Sequence, residues 1–454
     1  MLNEPAAAGR IAQKVLLFIF KDTPVWIYFR ERTPAAPRGR HSCIRAGLVS
    51  APTAALSMPR CAHEVRRAAR RRHGRLRARR RRSRSKLWEA DSFRRPPQPE
   101  LYSSMRLSTS QPNSGISRRE MARCGGMALA LSPAFFRLSA KGAELDARDL
   151  IAQFEKTLKE NIVAFWYPKS LDREAGGYTM NFGQQGEPLG PARKMIVTQA
   201  RMVWFFAAVA RAGYSGPGWG RKELLDAAEH GYRFLLERMR DPAHDGYYWE
   251  VDATGQKVTR PEKTVYGHSF VLYALAEYAL ATGRKDVLDQ AARLFRLLEE
   301  KAHDRVHGGY REAFQPDWTP IQGNGPMGPA DLKLMNSHLH MLEAVTLFYR
   351  ASKLPEARER LLELMTIAGN TMVRKDVGAC TDKYSLDWTP RLEGNYNRVS
   401  YGHDLEAVWL LMEGCDAAGV PNWLYMDLYR TLWSYSLRFG FDEQNGGFYD
   451  SGPL

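Results

Sequence analysis

The chain predicts an all-α fold in which a ring of inner helices is wrapped by outer ones, and three observations carry that prediction. Short glycine-aromatic turns recur: AGGYTM around Tyr178, HDGYYWE around Tyr247, HGGYREAF around Tyr310 and NGGFYD around Phe448. Their gaps are about 69, 63 and twice 69 residues, with a degenerate copy, VGACTDKY, where the missing turn should fall. A fixed period of this size marks a repeated supersecondary unit. Within each unit, apolar side chains spaced three and four apart give two helical stretches. The two differ in kind. One is apolar nearly all round and is predicted to be buried; the other carries charge on one side and is predicted to face water. Such helices, alternating through tandem hairpins, close most naturally into an α/α toroid, with an open solenoid as the structural alternative.

Taken in order, the inner set begins near Thr198, Tyr266, Asn336 and Tyr401, in stretches such as TQARMVWFFAAVARAG and YGHSFVLYALAEYALATG. The outer set is expected over residues 145–165, 221–240, 285–301, 356–373 and 422–439. In either architecture every inner helix runs the same way, so the N-terminal ends gather at one mouth.

A chain of 454 residues with 44% hydrophobic content can build a large packed core. Its net charge of +16 suggests nucleic acid, but the charge is unevenly placed. Residues 1–143 hold 30 basic against 8 acidic side chains, and the rest hold 36 against 42, so the folded part is mildly acidic. The run RRAARRRHGRLRARRRRSR, residues 66–84, is too charged to bury a core and is expected to be disordered. A nucleic-acid-binding arm is disfavoured, because no binding fold accompanies the run and no aromatic residues are interleaved to stack on bases. Residues 1–104 therefore read as a disordered extension, upstream of a candidate start at Met105.

After Met105, SRREM places a twin arginine before the short apolar run CGGMALALSPAFF and then small residues. That order is the pattern of an export signal of the Tat type, assigned to residues 105–143, with a basic leader of no consequence as the alternative. An exported, periplasmic location is expected, or failing export a cytoplasmic one. The apolar run is too short for a stable membrane anchor. Five scattered cysteines without CxxC spacing indicate neither a zinc site nor a disulfide framework. The helical domain is assigned to residues 144–454; its oligomeric state is left open.

The first turns of the inner helices read TQAR, YGHSF, NSHLHMLEA and YGHDLEA, which nominates Arg201, His268, His338, His340, Glu343, His403 and Glu406 for one cavity. A single histidine on an apolar helix is ordinarily a satisfied core residue, but a basic or titratable group recurring near the same end of four helices is not demanded by packing. Helix N-termini add positive potential there. Metal binding is the less favoured use, since His338 and His340 are two apart and point to different sides of their helix. Proton transfer is the other. Imidazole titrates near neutral pH and can move a proton at a carbon beside a carbonyl. His403 and Glu406, three apart on one helix face, can act as such a unit, and Arg201 can offset developing negative charge. Tyr248, Trp249, Trp318 and Trp388 offer flat faces of the kind sugars stack upon.

TQARMVWFFA, NSHLHMLEA and YGHDLEAVWLL, in that order and spacing, resemble the N-acylglucosamine 2-epimerase superfamily, most closely its cellobiose 2-epimerase branch. The resemblance covers residues 145 to the end and implies an (α/α)6 barrel that interconverts C2-epimeric sugars with no metal or other cofactor. It implies that His403 is one of two proton-transferring histidines, with Glu406 its supporting carboxylate. Arg201 holds sugar oxygens, while Asn336 and His340 bind the sugar and help open its ring. Tyr266, Trp249, Trp388 and His268 complete the expected sugar contacts, and the partner expected is a small sugar, not nucleic acid. The chain ends before the WWxQAE-like and WKxPYH-like segments of the family, so about nine of twelve helices are expected, without the second histidine and with impaired activity. An aldose-ketose isomerase and a non-catalytic carbohydrate-binding remnant are the alternatives. An inverting glycoside hydrolase would need two carboxylic acids across the cavity.

Overall fold

The computed structural model describes residues 147–453. The expected Arg-rich extension and export segment lie outside the described residues. Helix α1, Ala147–Thr157, runs on through a π-helical turn, Leu158–Val163, into Ala164–Trp166. Then follow α2 (Ile196–Arg211), α3 (Arg221–Phe234, widening into π-helical Leu235–Met239), α4 (Val265–Thr282) and α5 (Lys285–Lys301). The series closes with α6 (Met335–Ser352), α7 (Pro355–Thr366, widening into Ile367–Thr371), α8 (Tyr401–Ala418) and α9 (Met426–Gly440).

The inner helices are α2, α4, α6 and α8. They pack side by side in chain order, and each also packs on the outer helix that follows it. Burial follows the pattern of the sequence. Nearly every residue of α4 is buried, whereas α5 buries a single stripe of Val287, Ala291, Leu294, Phe295 and Leu298. Three inner helices end on a left-handed residue, Gly283, Lys353 or Gly419, whose N–H returns to a carbonyl of the last turn. This two-layered row is the α/α toroid predicted, an (α/α)6-type barrel, with nine helices among the described residues. The flank of α9 exposes Trp423, Trp433, Phe439, Phe448 and Tyr449. No described helix is long and apolar enough to cross a membrane.

A glycine-aromatic turn follows each outer helix, and those after α1, α3, α5 and α7 lead into the next inner helix. In each, two residues seven apart pair across the turn: Leu171 with Tyr178, Arg240 with Tyr247, His303 with Tyr310 and Phe441 with Phe448. Val373 and Cys380 pair in the same way, so VGACTDKY is a genuine copy. In four copies an aspartate follows the first of these residues and accepts backbone N–H groups of the turn: Asp172, Asp241, Asp304 and Asp442. Three of the aspartates also hold a buried lysine from just before the next inner helix. Lys194 reaches Asp172 at 2.7 Å, Lys263 reaches Asp241 at 2.8 Å and Lys333 reaches Asp304 at 2.8 Å. In the fourth unit both partners have changed, to Arg374 and Val399. A buried charge cannot lose its partner cheaply, so the two positions change as a pair.

Candidate active site

The fourth residue of each inner helix turns back toward the preceding turn. Gln199 accepts the Tyr178 N–H at 2.8 Å, His268 that of Tyr247 at 2.9 Å, His338 that of Tyr310 at 2.9 Å, and Asp404 that of Cys380 at 3.1 Å. The other ring nitrogen of each histidine is also engaged: Nδ1 lies 2.6 Å from the Thr264 carbonyl in His268 and 2.7 Å from the Leu334 carbonyl in His338. An imidazole that accepts from an amide through Nε2 and donates to a carbonyl through Nδ1 is neutral and fixed in one tautomer. Burial agrees with that state, pushing both pKa values down to about 4. The turn glycine has to be a glycine. Gly246 has φ of 77°, and a Cβ there would come 2.8 Å from His268 Nε2 and 2.7 Å from the Trp318 ring.

His268, nominated for sugar contact, is thus placed as a latch between helix and turn, with neither ring nitrogen directed at a ligand. Trp388 lies beside the equivalent latch one unit later. Its indole N–H donates to the carbonyls of His307 and Gly308, at 3.0 and 3.1 Å. Its ring meets His338 edge-on at 4.7 Å. Trp318 repeats the arrangement one unit earlier, against His268 and the His244 carbonyl. Trp249 is buried beside Gly267 at the start of α4, and its carbonyl caps the first N–H of α2 at 3.0 Å.

The sixth residue of each inner helix is Arg201, Phe270, His340 or Glu406. Two residues is about 200° of helical rotation, so these side chains leave the helix on nearly the opposite side from the latch. The Arg201 guanidinium sits 4.3 Å above the Phe270 ring, and Phe270 lies 4.6 Å from the His340 ring. Tyr266 packs on both, 5.0 Å from Phe270 and 5.4 Å from His340. Asn336, one turn before His340 on α6, places its Oδ1 3.2 Å from His403 Nε2 on α8. Arg201, Tyr266, His340, Asn336 and His403 therefore form one string across four helices. Glu406 is half-buried one turn beyond His403.

Sequence reading missed Phe270 and Glu312. The first becomes visible only when the units are aligned on the latch residue, because His268 matches His338 in position and His340 only in type. Glu312 is a buried carboxyl at the start of α4, accepting the Tyr266 N–H at 3.2 Å, and burial raises its pKa to about 7. No three His, Cys, Asp or Glu side chains converge as a metal-binding group among the described residues.

Imidazole, guanidinium and amide groups assembled at helix N-termini suit a polyhydroxylated or oxyanionic ligand and proton transfer to it. Fold and site thus define an α/α-toroid protein with a histidine-and-arginine mouth. The chain belongs to the N-acylglucosamine 2-epimerase (GlcNAc 2-epimerase) family, whose pattern matches residues 176–451. It is 30% identical over 269 residues to a cellobiose 2-epimerase of Bacteroides fragilis, covering 59% of this chain and 66% of that one. It is 25% identical over 313 residues to a D-mannose isomerase of Marinomonas mediterranea, covering 66% and 72% respectively. Among solved structures, cellobiose 2-epimerase from Bacillus thermoamylovorans superimposes with a TM-score of 0.60 at 26% identity, over 67% of this chain and 76% of that one. The chain spans 66% of the length of the cellobiose 2-epimerases of Bacteroides fragilis and Ruminococcus albus.

Proposed function

We infer that the domain is a sugar 2-epimerase acting on glucose- or mannose-type residues, such as cellobiose or an N-acylglucosamine. The observation that carries this reading is the string from Arg201 through His340 to Asn336 and His403. It sets an arginine, an amide and two imidazoles along one line of contacts at the N-terminal ends of the inner helices. In this reading Asn336 and His340 hold the sugar and assist ring opening, and His403, backed by Glu406, moves the proton at C2. The product of proton removal is a cis-enediolate, whose negative oxygen Arg201 offsets. Return of a proton to the opposite face completes epimerisation. Its return to C1 instead would make the protein an aldose-ketose isomerase, a second reading favoured by the likeness to a D-mannose isomerase.

The test is incubation of the chain with cellobiose, mannose or N-acetylglucosamine in heavy water, following deuterium by NMR. Label at C2 of an epimeric aldose supports the first reading, and label at C1 of a ketose the second. Sugar binding with no label from any substrate would make the protein a binding module. The twin arginine and apolar run of residues 105–143 support export by the Tat route, which fractionation of a producing cell tests.

A further inference from the structure

Beneath the mouth lies another layer. Counting three further residues along each inner helix gives Trp204, Tyr273, Glu343 and Trp409, each one turn below Arg201, Phe270, His340 and Glu406 respectively. Three of the four are aromatic, as a packed layer between helices should be. The exception is a carboxylate, directly below His340. Trp204 stacks on Tyr273 with centroids 5.1 Å apart and planes at 14°, and the Tyr273 hydroxyl faces Glu343. Glu343 Oε2 in turn lies 3.2 Å from Nδ1 of His340. Tyr273, Glu343 and His340 are all at most 5% exposed.

A carboxylate buried among aromatic rings is costly to keep unless it is hydrogen-bonded. Packing offers no reason for one here, since the neighbouring units fill the same position with rings. An ionised carboxylate only accepts hydrogen bonds, so the proton in its bond to His340 belongs to Nδ1. Tyr273 is the other polar group beside Glu343, and burial together with the negative Glu343 raises its pKa well above the ordinary tyrosine range.

We propose that Glu343 is a positioning residue that fixes His340 in the Nδ1–H tautomer, so that Nε2 is the proton-accepting atom of that imidazole. This deepens, and rests on, the sugar-epimerase reading of the same site. Under it His340 is a base for a hydroxyl proton of the sugar, and the mouth carries two imidazole–carboxylate units, His340 with Glu343 and His403 with Glu406.

The test begins with the unaltered chain carrying 15N-labelled histidine, with the His340 signals assigned by loss in His340→Gln. At a pH where the ring is neutral, a protonated Nδ1 and a bare Nε2 are expected; an Nε2–H ring, or a mixture of tautomers, overturns the proposal. Glu343→Leu should erode the tautomer preference, whereas a merely structural Glu343 would alter melting temperature and leave the tautomer unmoved. In turnover, Glu343→Leu is expected to lower kcat by on the order of a hundredfold with KM changed less than about threefold. Loss confined to KM contradicts the proposal. The expected tautomer in a chain that labels no sugar would leave the proposal standing and remove the epimerase reading. Sugar labelling by a chain with the opposite tautomer would do the reverse.

Discussion

His403 and Asn336 meet across the seam between two inner helices, Nε2 to Oδ1 at 3.2 Å. The contact ties the proposed proton-transferring ring to the helix that carries His340, so the two halves of the string hold their relative place through it. Asn336→Ala should slow exchange at C2 by about tenfold or more, a loss of roughly 1.4 kcal/mol in transition-state stabilisation. His403→Ala should abolish exchange. Deuterium incorporation into the sugar measures both.

The latch position makes a different prediction. Gln199 does with an amide what His268 does with an imidazole, accepting the turn's N–H. His268→Gln should therefore fold and exchange deuterium much like the parent chain. His268→Ala should lose about 1–3 kcal/mol of stability, because the buried Tyr247 N–H is left without its acceptor. Urea melts of the two variants distinguish these outcomes.

Acid and base act on the latches with opposite sign. His268 and His338 have pKa values near 4 when folded, against 6.5 in the unfolded chain, so the unfolded chain binds more protons between those values. Their contribution to stability is present above pH 6.5 and is lost as pH falls toward 4. Burial raises Asp404 to about 7 from 3.8, so the folded chain holds the extra proton and stability is lost as pH rises from about 4 to 7. Asp404→Asn, which keeps an acceptor for the Cys380 N–H, should gain on the parent chain progressively across that range, by on the order of a few kcal/mol. Thermal melts at half-unit pH steps follow the gain.

The buried lysines should show strong coupling. Lys263→Val alone leaves Asp241 buried without its cation and should cost about 3–5 kcal/mol. Adding Asp241→Ala should return part of that loss, because the fourth unit has dispensed with both members at once, in Arg374 and Val399. A double-mutant cycle gives the coupling directly; strictly additive losses would show that the pair is not a unit.

Much of the fold was legible because it repeats. All four inner helices begin within two residues of their expected starts, since an apolar run bounded by a turn leaves little freedom. The spans expected for α7 and α9 also match to within two residues once the adjoining turns are counted; what hydrophobic spacing does not report is that α7 ends in a π-helical turn and that a 3-10 turn, Asn422–Tyr425, precedes α9. The clustering at the helix N-termini was legible by residue type for Arg201, His340, Asn336 and His403, which the structure brings together. Residue type was misleading at His268 and Trp388, whose chemistry suits a sugar but whose polar atoms serve backbone groups. Only position within the unit separates His268 from His340, and His338 is the residue that reveals it.

That small offset between the fourth and sixth residues has an evolutionary consequence. A tandemly duplicated segment begins with identical copies, whereas a reactive cavity needs a different group on each wall. Since the anchoring side chain and the cavity side chain leave the helix in nearly opposite directions, each copy is able to change what it shows the ligand and still keep its grip on its neighbour. Symmetry survives in the masonry and is broken only at the surface the substrate meets.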